Sequence, residues 1–291
     1  MDRKIITKQI NDLQILEALS SAFAEISSGR MKKTRDSVVL SREFLEEIQG
    51  IFRELQDSYR REFLSLARRR GFKKGEKLTF LSHNGRSVAL FLSSNAGFYG
   101  SITKKVFDDF VKDVQADDLE ATIVGKLGLS MFLQVFPGKS YSYFELPDYG
   151  YDRDKMAQLV RHLVKYEEIR IYYGKFKSIV NQFADRVVIS AQTMIGEKTN
   201  AKPTKYLFEP NLEEILVFFE TEMFSSLFEQ VISESQLAKF ASRMIAMDAA
   251  GERIRESLSV AKLDYSRQVH YVNNKKQLEY MSSIIGGGRF I

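Results

Sequence analysis

All four prolines of this 291-residue chain, Pro137, Pro147, Pro203 and Pro210, lie in its middle, and residues 1–136 and 211–291 contain none. Proline removes a backbone donor and its ring collides with the preceding turn, so it breaks helix interiors. A chain punctuated only in its centre is free to form long helices at both ends around a more interrupted middle.

Periodicity turns that freedom into an expectation. From Leu237 onward one seven-residue series reads Leu237, Met244, Gly251, Leu258, Tyr265, Val272, and an interleaved series reads Phe240, Met247, Ile254, Ala261, Gln268. Two such series make a narrow seam of the kind that packs helix on helix with a left-handed supercoil. Leu237, Phe240, Met244, Met247, Ile254 and Leu258 are its apolar members. Near the N-terminus Leu13, Leu16, Leu19, Phe23 and Ile26 share one face, and Phe44, Ile48, Ile51, Leu55 and Tyr59 form a second stripe. Between them the polar, then β-branched run from Thr34 to Leu40 reads as a place where the helix bends or weakens.

At about 1.5 Å per residue, residues 1–70 and 211–284 each extend roughly 100 Å as helices, too far for a compact domain of this size. They must pair with each other or with partners. Charge favours an antiparallel pairing. Residues 211–234 carry six acids and no base, while residues 53–70 carry Arg53, Arg60, Arg61, Arg68, Arg69 and Arg70 against three acids. Each exposed pair is worth little, but the pattern of signs helps set orientation.

The middle changes character. Strands are expected at 77–81, 87–93, 120–124, 141–146, 168–173 and 186–194, and helices at 100–115, 126–136 and 154–166. Strands alternating with helices indicate a mostly parallel, Rossmann-like sheet. The expected architecture is α/β: an N-terminal coiled-coil helix over 1–70, an α/β domain over 77–205, a C-terminal coiled-coil helix over 211–285, and a flexible tail over 286–291 around Gly286-Gly287-Gly288.

Composition removes several chemistries. With no cysteine there is no disulfide, thiol nucleophile or thiolate metal site. His83, His162 and His270 are never paired at ligand spacing, so neither a histidine metal site nor any bound cofactor is expected. Asp108-Asp109 and Asp117-Asp118 are adjacent pairs whose side chains diverge on a helix. The Asn95–Gly100 turn follows a strand and opens a helix, as a phosphate loop does, but lacks the G-x-G-x-x-G spacing and the P-loop lysine. No nucleophile, base and orienting group stand at a recognisable spacing, so no catalytic residue is assigned.

The net charge of +5 is a mild excess, with basic clusters at Arg30–Arg35 and Arg68–Lys74. It permits an acidic partner without implying nucleic acid. No run of about 18 apolar residues is present, so no membrane insertion is expected. Met1-Asp2-Arg3-Lys4 leads into a mixed run rather than an apolar signal core, and the chain reads as soluble and cytoplasmic.

Short motifs run through the chain in one order. Ala241-Ser242-Arg243-Met244-Ile245-Ala246-Met247-Asp248-Ala249-Ala250 closely resembles the A-S/A-R-M-x-A-M-x-A-A signature of F-type ATP synthase gamma subunits. Ser266-Arg267-Gln268 resembles the A-R-Q that follows it in that family, and Tyr206-Leu207-Phe208-Glu209-Pro210 resembles its Y-x-Y/F-E-P entry into the last helix. Ser94–Ile102 is similar to the family's S-D-R-G-L-C-G-G-L-N turn, Val124–Gly128 to its I-G-x-K-G, Tyr173–Phe176 to a similar strand end, and Arg30–Arg35 to its S-K-L-R-R. The chain departs from the pattern at Glu25, Asn95, Ala96, Ser101, Val272 and Asn274, so what it resembles is a divergent member of that family.

The resemblance implies a non-catalytic rotor shaft. The terminal helices would form an asymmetric coiled coil inside a hexamer of alpha and beta subunits, with nucleotide chemistry in the beta subunits. The α/β domain would sit at the foot, near the epsilon subunit and the c-ring, on the cytoplasmic face of the cell membrane. Arg30, Lys32, Lys33 and Arg35 would then meet acidic loops of the beta subunits, and Arg267 and Gln268 would be rotor–stator contacts. If Gln268 instead faces the partner helix it is a polar register marker in the seam. The competing reading is a coiled-coil scaffold or adaptor unrelated to rotary catalysis.

Overall fold

The computed structural model describes residues 3–59, 62, 84–117, 119–190 and 211–287. The expected strand at 77–81, the Arg68–Lys74 cluster, the Tyr206–Pro210 motif, His83, Asp118 and residues 191–194 and 288–291 lie outside the described residues.

Two long helices, α1 (Arg3–Ser58) and α5 (Leu212–Gly287), bracket an α/β segment. Its elements are β1 (Ser87–Leu92), α2 (Ile102–Ala116), β2 (Glu120–Val124), α3 (Lys126–Val135), β3 (Tyr141–Phe144), α4 (Arg153–Leu163), β4 (Glu168–Phe176) and β5 (Gln182–Ser190). The chain divides into two compact units, one of Met1–Ser27 with Arg243–Ile291, the other of Ser28–Ser242.

The sheet has strand order β3-β2-β1-β4-β5. The first four strands are parallel, and β5 is an antiparallel edge strand paired with β4 from Glu168↔Ser190 to Phe176↔Gln182. The expected strand at 186–194 therefore begins four residues earlier, at Gln182. The signal in Gln182–Asp185 is weak because Ala184 and Asp185 have low strand propensity; pairing with β4 overrides it.

Local chemistry explains the helix starts. The Asp152 side chain accepts from Lys155 N at 3.1 Å and caps α4, with Asp154 in its first turn and Arg161 in its last complementing the helix dipole. At the head of α5, Asn211 Oδ1 accepts from Glu214 N at 2.9 Å while Asn211 Nδ2 donates to Glu214 Oε1 at 2.7 Å, a reciprocal cap.

Cores form on both faces of the sheet. On one, Val88, Leu90, Leu92, Ile169, Ile171 and Tyr173 meet α4 through Met156, Leu159 and Leu163, and α5 through Phe224, Phe228, Val231 and Ile232. On the other, Ala89, Phe91, Ala121, Ile123 and Tyr172 meet α2 and α3, and α5 returns with Phe240. Helix α5 thus serves both faces, which places it across the carboxyl ends of the strands. A third cluster joins Leu45, Ile48, Phe52 and Leu55 of α1 to Leu216 and Met223 of α5.

In the smaller unit α1 and α5 run antiparallel. Arg3 Nη2 donates to the Tyr265 hydroxyl at 2.8 Å, a Cβ on Gly251 would lie 3.3 Å from Ser20 Oγ, and the Arg243 guanidinium stands 5.7 Å from the Phe23 ring.

The inward face of α1 differs from the one its leucines suggest. Every seventh residue from Ile6 (Leu13, Ser20, Ser27, Thr34, Ser41, Ile48, Leu55) is buried or half-buried, and so is every seventh from Ile10 (Glu17, Ala24, Met31, Val38, Leu45, Phe52, Tyr59). Leu16, Leu19, Ile26, Phe44 and Ile51, expected on the packed stripe, are instead about half exposed. Close approach of the partner helix at Gly251 favours serine over leucine on the seam, so the larger side chains turn outward. The helix also runs unbroken through Thr34–Leu40, because Thr34 and Val38 are buried and packing overrides local propensity.

Candidate functional site

In open sheets of this winding, ligands bind outside the carboxyl ends of the strands where the order reverses, here between β1 and β4. The turn after β1 has the parts of an anion cradle. The backbone N–H groups of Asn95 and Ala96 point together, and what they meet is a carboxylate of the same chain, with Asp148 Oδ1 accepting at 2.7 Å and Oδ2 at 2.8 Å. Asn95 ties the turn down further, donating through Nδ2 to Leu146 O at 2.6 Å and accepting at Oδ1 from Lys126 N at 3.2 Å. The crevice beside it is filled by α5. Gly174 on β4 has no side chain, and a Cβ there would stand 3.4 Å from the Ala238 Cβ and 2.9 Å from Ile102 Cγ1. A nucleotide-binding oxidoreductase needs this space open, and here the chain's own carboxylate and helix occupy it.

Helix α5 carries charge into the buried zone. Lys239 is 7% exposed and donates to the Ser93 carbonyl. Burial drives its ammonium down to about 8, with the nearby Asp148 pulling the other way. Five residues back, Glu234 is 4% exposed. Burial raises its carboxyl above the usual range, opposed by Arg42 and Lys175, and Arg42 Nη2 donates to Glu234 Oε1 at 3.1 Å. The Arg42–Glu234 bond ties α1 to α5 within the larger unit. Replacing Arg42 by methionine leaves a buried carboxylate without its donor and is expected to cost about 2 kcal/mol of stability at neutral pH. Because the unpaired acid is destabilising only when ionised, the deficit should shrink as pH falls through the raised Glu234 value. Urea unfolding at two pH values measures both.

The residues singled out from sequence fall in different surroundings. Lys32, Lys33 and Arg35 are exposed on α1. Arg30 is not a free surface charge: its guanidinium lies 5.0 Å from the Tyr149 ring and 6.0 Å from that of Phe240, packing α1 onto the α/β domain. Arg267 is exposed and pairs with Asp264 at 3.3 Å, while Gln268 is half-buried beside it. Along the C-terminal seam Leu237, Phe240 and Leu258 are buried, and Met244, Met247 and Ile254 are half-buried. From Tyr271 to Ile284 every side chain is exposed, including Tyr271, Leu278, Tyr280, Met281 and Ile284.

Of the groups considered for chemistry, His162 is half-buried with Nε2 3.1 Å from Thr122 Oγ1, and burial lowers its basicity. Asp109 bonds Lys112 on the same helix. Among the described residues no group of three or more histidines and acids is placed to hold a metal ion, and no helix is long and apolar enough to cross a membrane. Asp148 and Lys239 were not flagged by sequence. Lys239 did leave a signal, as a lone cation between Leu237-Ala238 and Phe240-Ala241.

The elements define a class: two long helices that bracket, in chain order, a Rossmann-like domain whose customary ligand crevice is closed from within. The model of the ATP synthase family matches residues 2–269, and the chain belongs to that family. Its relatives are gamma chains. The ATP synthase gamma chain of Cytophaga hutchinsonii is 23% identical over 98% of this chain and 97% of its own length, and that of Ruthia magnifica subsp. Calyptogena magnifica 24% over 91% and 92%. Among solved structures, a chain of the Tetrahymena thermophila mitochondrial ATP synthase central stalk and c-ring superposes with a TM-score of 0.58 at 16% identity, covering 80% of this chain and 99% of that one. A chain of the Euglena gracilis mitochondrial ATP synthase gives 0.55 at 13% identity, covering 91% and 97%.

Proposed function

We propose that this chain is the gamma subunit and central rotor shaft of an F-type ATP synthase, turning inside a hexamer of alpha and beta subunits and coupling ion-driven rotation of a c-ring to nucleotide chemistry in the beta subunits. The chain itself has no catalytic site and binds no cofactor. Its foot meets the epsilon subunit and the c-ring, and it works as a peripheral protein on the cytoplasmic face of the membrane. One observation carries this reading beyond the family match: the two long helices expose large apolar side chains, Leu16, Leu19 and Ile26 on α1, Tyr271, Leu278 and Ile284 on α5. A helical pair standing alone presents polar residues there. A shaft enclosed by other subunits needs an apolar outside. A scaffold with its seam as its only contact does not.

In this reading residues 1–70 and 211–285 are the shaft, residues 77–205 the foot domain and 286–291 its tail. Lys32, Lys33 and Arg35 face acidic loops of the beta subunits, and Arg267 with Gln268 engages the stator near the top. Arg30 divides its role, since its guanidinium already packs on Tyr149 and Phe240.

Co-expression with the alpha and beta subunits of the same source is the test. A stable complex with ATPase activity dependent on this chain is expected, whereas recovery of the chain without the hexamer overturns the proposal in favour of a scaffold. In the assembled enzyme, Arg267→Ala with Gln268→Ala is expected to lower ATP-driven ion pumping at least several-fold while changing stability by less than about 0.5 kcal/mol. Undiminished pumping removes those two residues from the interface.

A further inference from the structure

A cavity of about 20 Å³ lies between α5 and the carboxyl ends of β1 and β2, lined by Ser93, Val124, Pro147, Asp148, Ser235 and Lys239 among others. It has room for a water molecule. Two hydroxyls at it, Ser93 Oγ and Ser235 Oγ, are buried and find no hydrogen-bond partner in the protein. Buried hydroxyls left unsatisfied are costly, and a single water with polar partners on several sides satisfies them. An anion would stand against the Asp148 carboxylate and a cation against the Lys239 ammonium, so a neutral ligand fits best.

We propose that Lys239 and one bound water form a polar pin that holds α5 in the sheet's crevice, and that this pin positions the foot domain on the shaft so that torque passes between them. The proposal rests on the rotor reading above. Lys239 holds the Ser93 carbonyl directly. The water links the hydroxyls of Ser93, on the sheet side, and Ser235, on the helix. Gln236, the next residue of α5, adds a second polar tie by donating to Pro147 O at 3.3 Å and Gly150 O at 3.1 Å. Apolar packing of Phe228 and Phe240 on the two faces resists separation of helix and sheet, but it is non-directional. Directional bonds at the centre are what resist sliding of α5 along its own axis.

Among the described residues the charged group facing Lys239 is Asp148, which is itself committed to the Asn95 and Ala96 N–H groups. The sign of the pH effect follows. Lys239 is lowered from 10.5 to about 8 in the folded chain, so between those two values the unfolded chain holds a proton that the folded one has released. Stability rises with pH across that window through this group, and its burial penalty is fully present below about 8.

The experiment uses the whole ATPase complex carrying Lys239→Met, with Ser235→Ala as a milder second variant. Both should retain ATP hydrolysis within about two-fold while ATP-driven ion pumping falls several-fold, Ser235→Ala less than Lys239→Met. In the isolated chain, amide exchange across residues 231–243 should quicken, and the stability difference between parent and Lys239→Met should shift in the parent's favour as pH rises from 8 to 10.5. Pumping and exchange unchanged in both variants overturn the pin even if melting temperature moves, because a merely structural lysine shifts stability alone. Failure of the unmutated chain to assemble with alpha and beta subunits tells instead against the rotor reading, so the two failures are distinct.

Discussion

Gly125→Ala is expected to destabilise the protein by about 4 kcal/mol, from backbone strain and a steric collision together. Gly125 joins β2 to α3 with φ of 95°, a conformation that side-chain-bearing residues rarely adopt. A Cβ there would also stand 2.6 Å from the Ser94 carbonyl oxygen and 2.7 Å from its carbon, backbone atoms that cannot swing aside. The close approach has a purpose: Gly125 N donates to Phe144 O at 3.0 Å and Leu127 N to Ser94 O at 2.9 Å, stitching the turns after β1, β2 and β3 into one edge. Urea unfolding measures the loss. Gly29, helical with nothing within 4 Å of its would-be Cβ, is the control, and alanine there is expected to add about 1 kcal/mol. Similar behaviour at the two glycines would refute the argument.

Phe240→Ala is expected to cost a similar amount, about 4 kcal/mol. The ring is fully buried where α5 passes the sheet, 6.3 Å from the Tyr99 ring centre and 6.0 Å from that of Tyr149. It also lies under the Arg30 guanidinium, so its removal leaves a cavity and loosens the hold of α1 on the domain. Tyr99, 3% exposed in the turn after β1, is held by its own packing and cannot swing into the gap. Phe240→Leu, which refills most of the volume, should recover more than half of the loss. A loss below about 1 kcal/mol for Phe240→Ala would mean the site collapses freely.

These two positions show unevenly what sequence makes legible. The seam of α5 could be read because Leu237, Phe240 and Leu258 are large and regularly spaced. The sheet could be read because β1 is almost wholly apolar and β2 and β4 each keep a buried centre, Ala121–Val124 and Ile171–Tyr173. The inward row of α1 could not, since Ser20, Ser27 and Thr34 carry no hydrophobic signal and the leucines beside them face outward. Sequence shows which residues are apolar but not which surface a partner will cover, and a shaft inverts the usual correlation.

The closed crevice was half legible. The turn from Asn95 to Gly100 could be seen to lack the spacing of a phosphate loop, but that Asp148, some fifty residues away, supplies the anion is a tertiary fact. Lys239 was passed over because one lysine among apolar neighbours on a long helix looks like an ordinary solvent-facing position. Only the sheet on one side and α1 on the other bury residues 231–243 nearly all round.

The two rows of α1, which turn inward at every seventh position from residue 6 to residue 59, restrict how this gene can change length. Deleting one codon turns every later side chain by about 100° around the helix axis and puts Gln49 in place of Ile48 and Arg53 in place of Phe52 on the covered side. Removing seven residues restores the phase. Homologues of this chain should therefore differ in the length of this helix by whole heptads, with other gaps falling in the connections that precede β1 and follow β5.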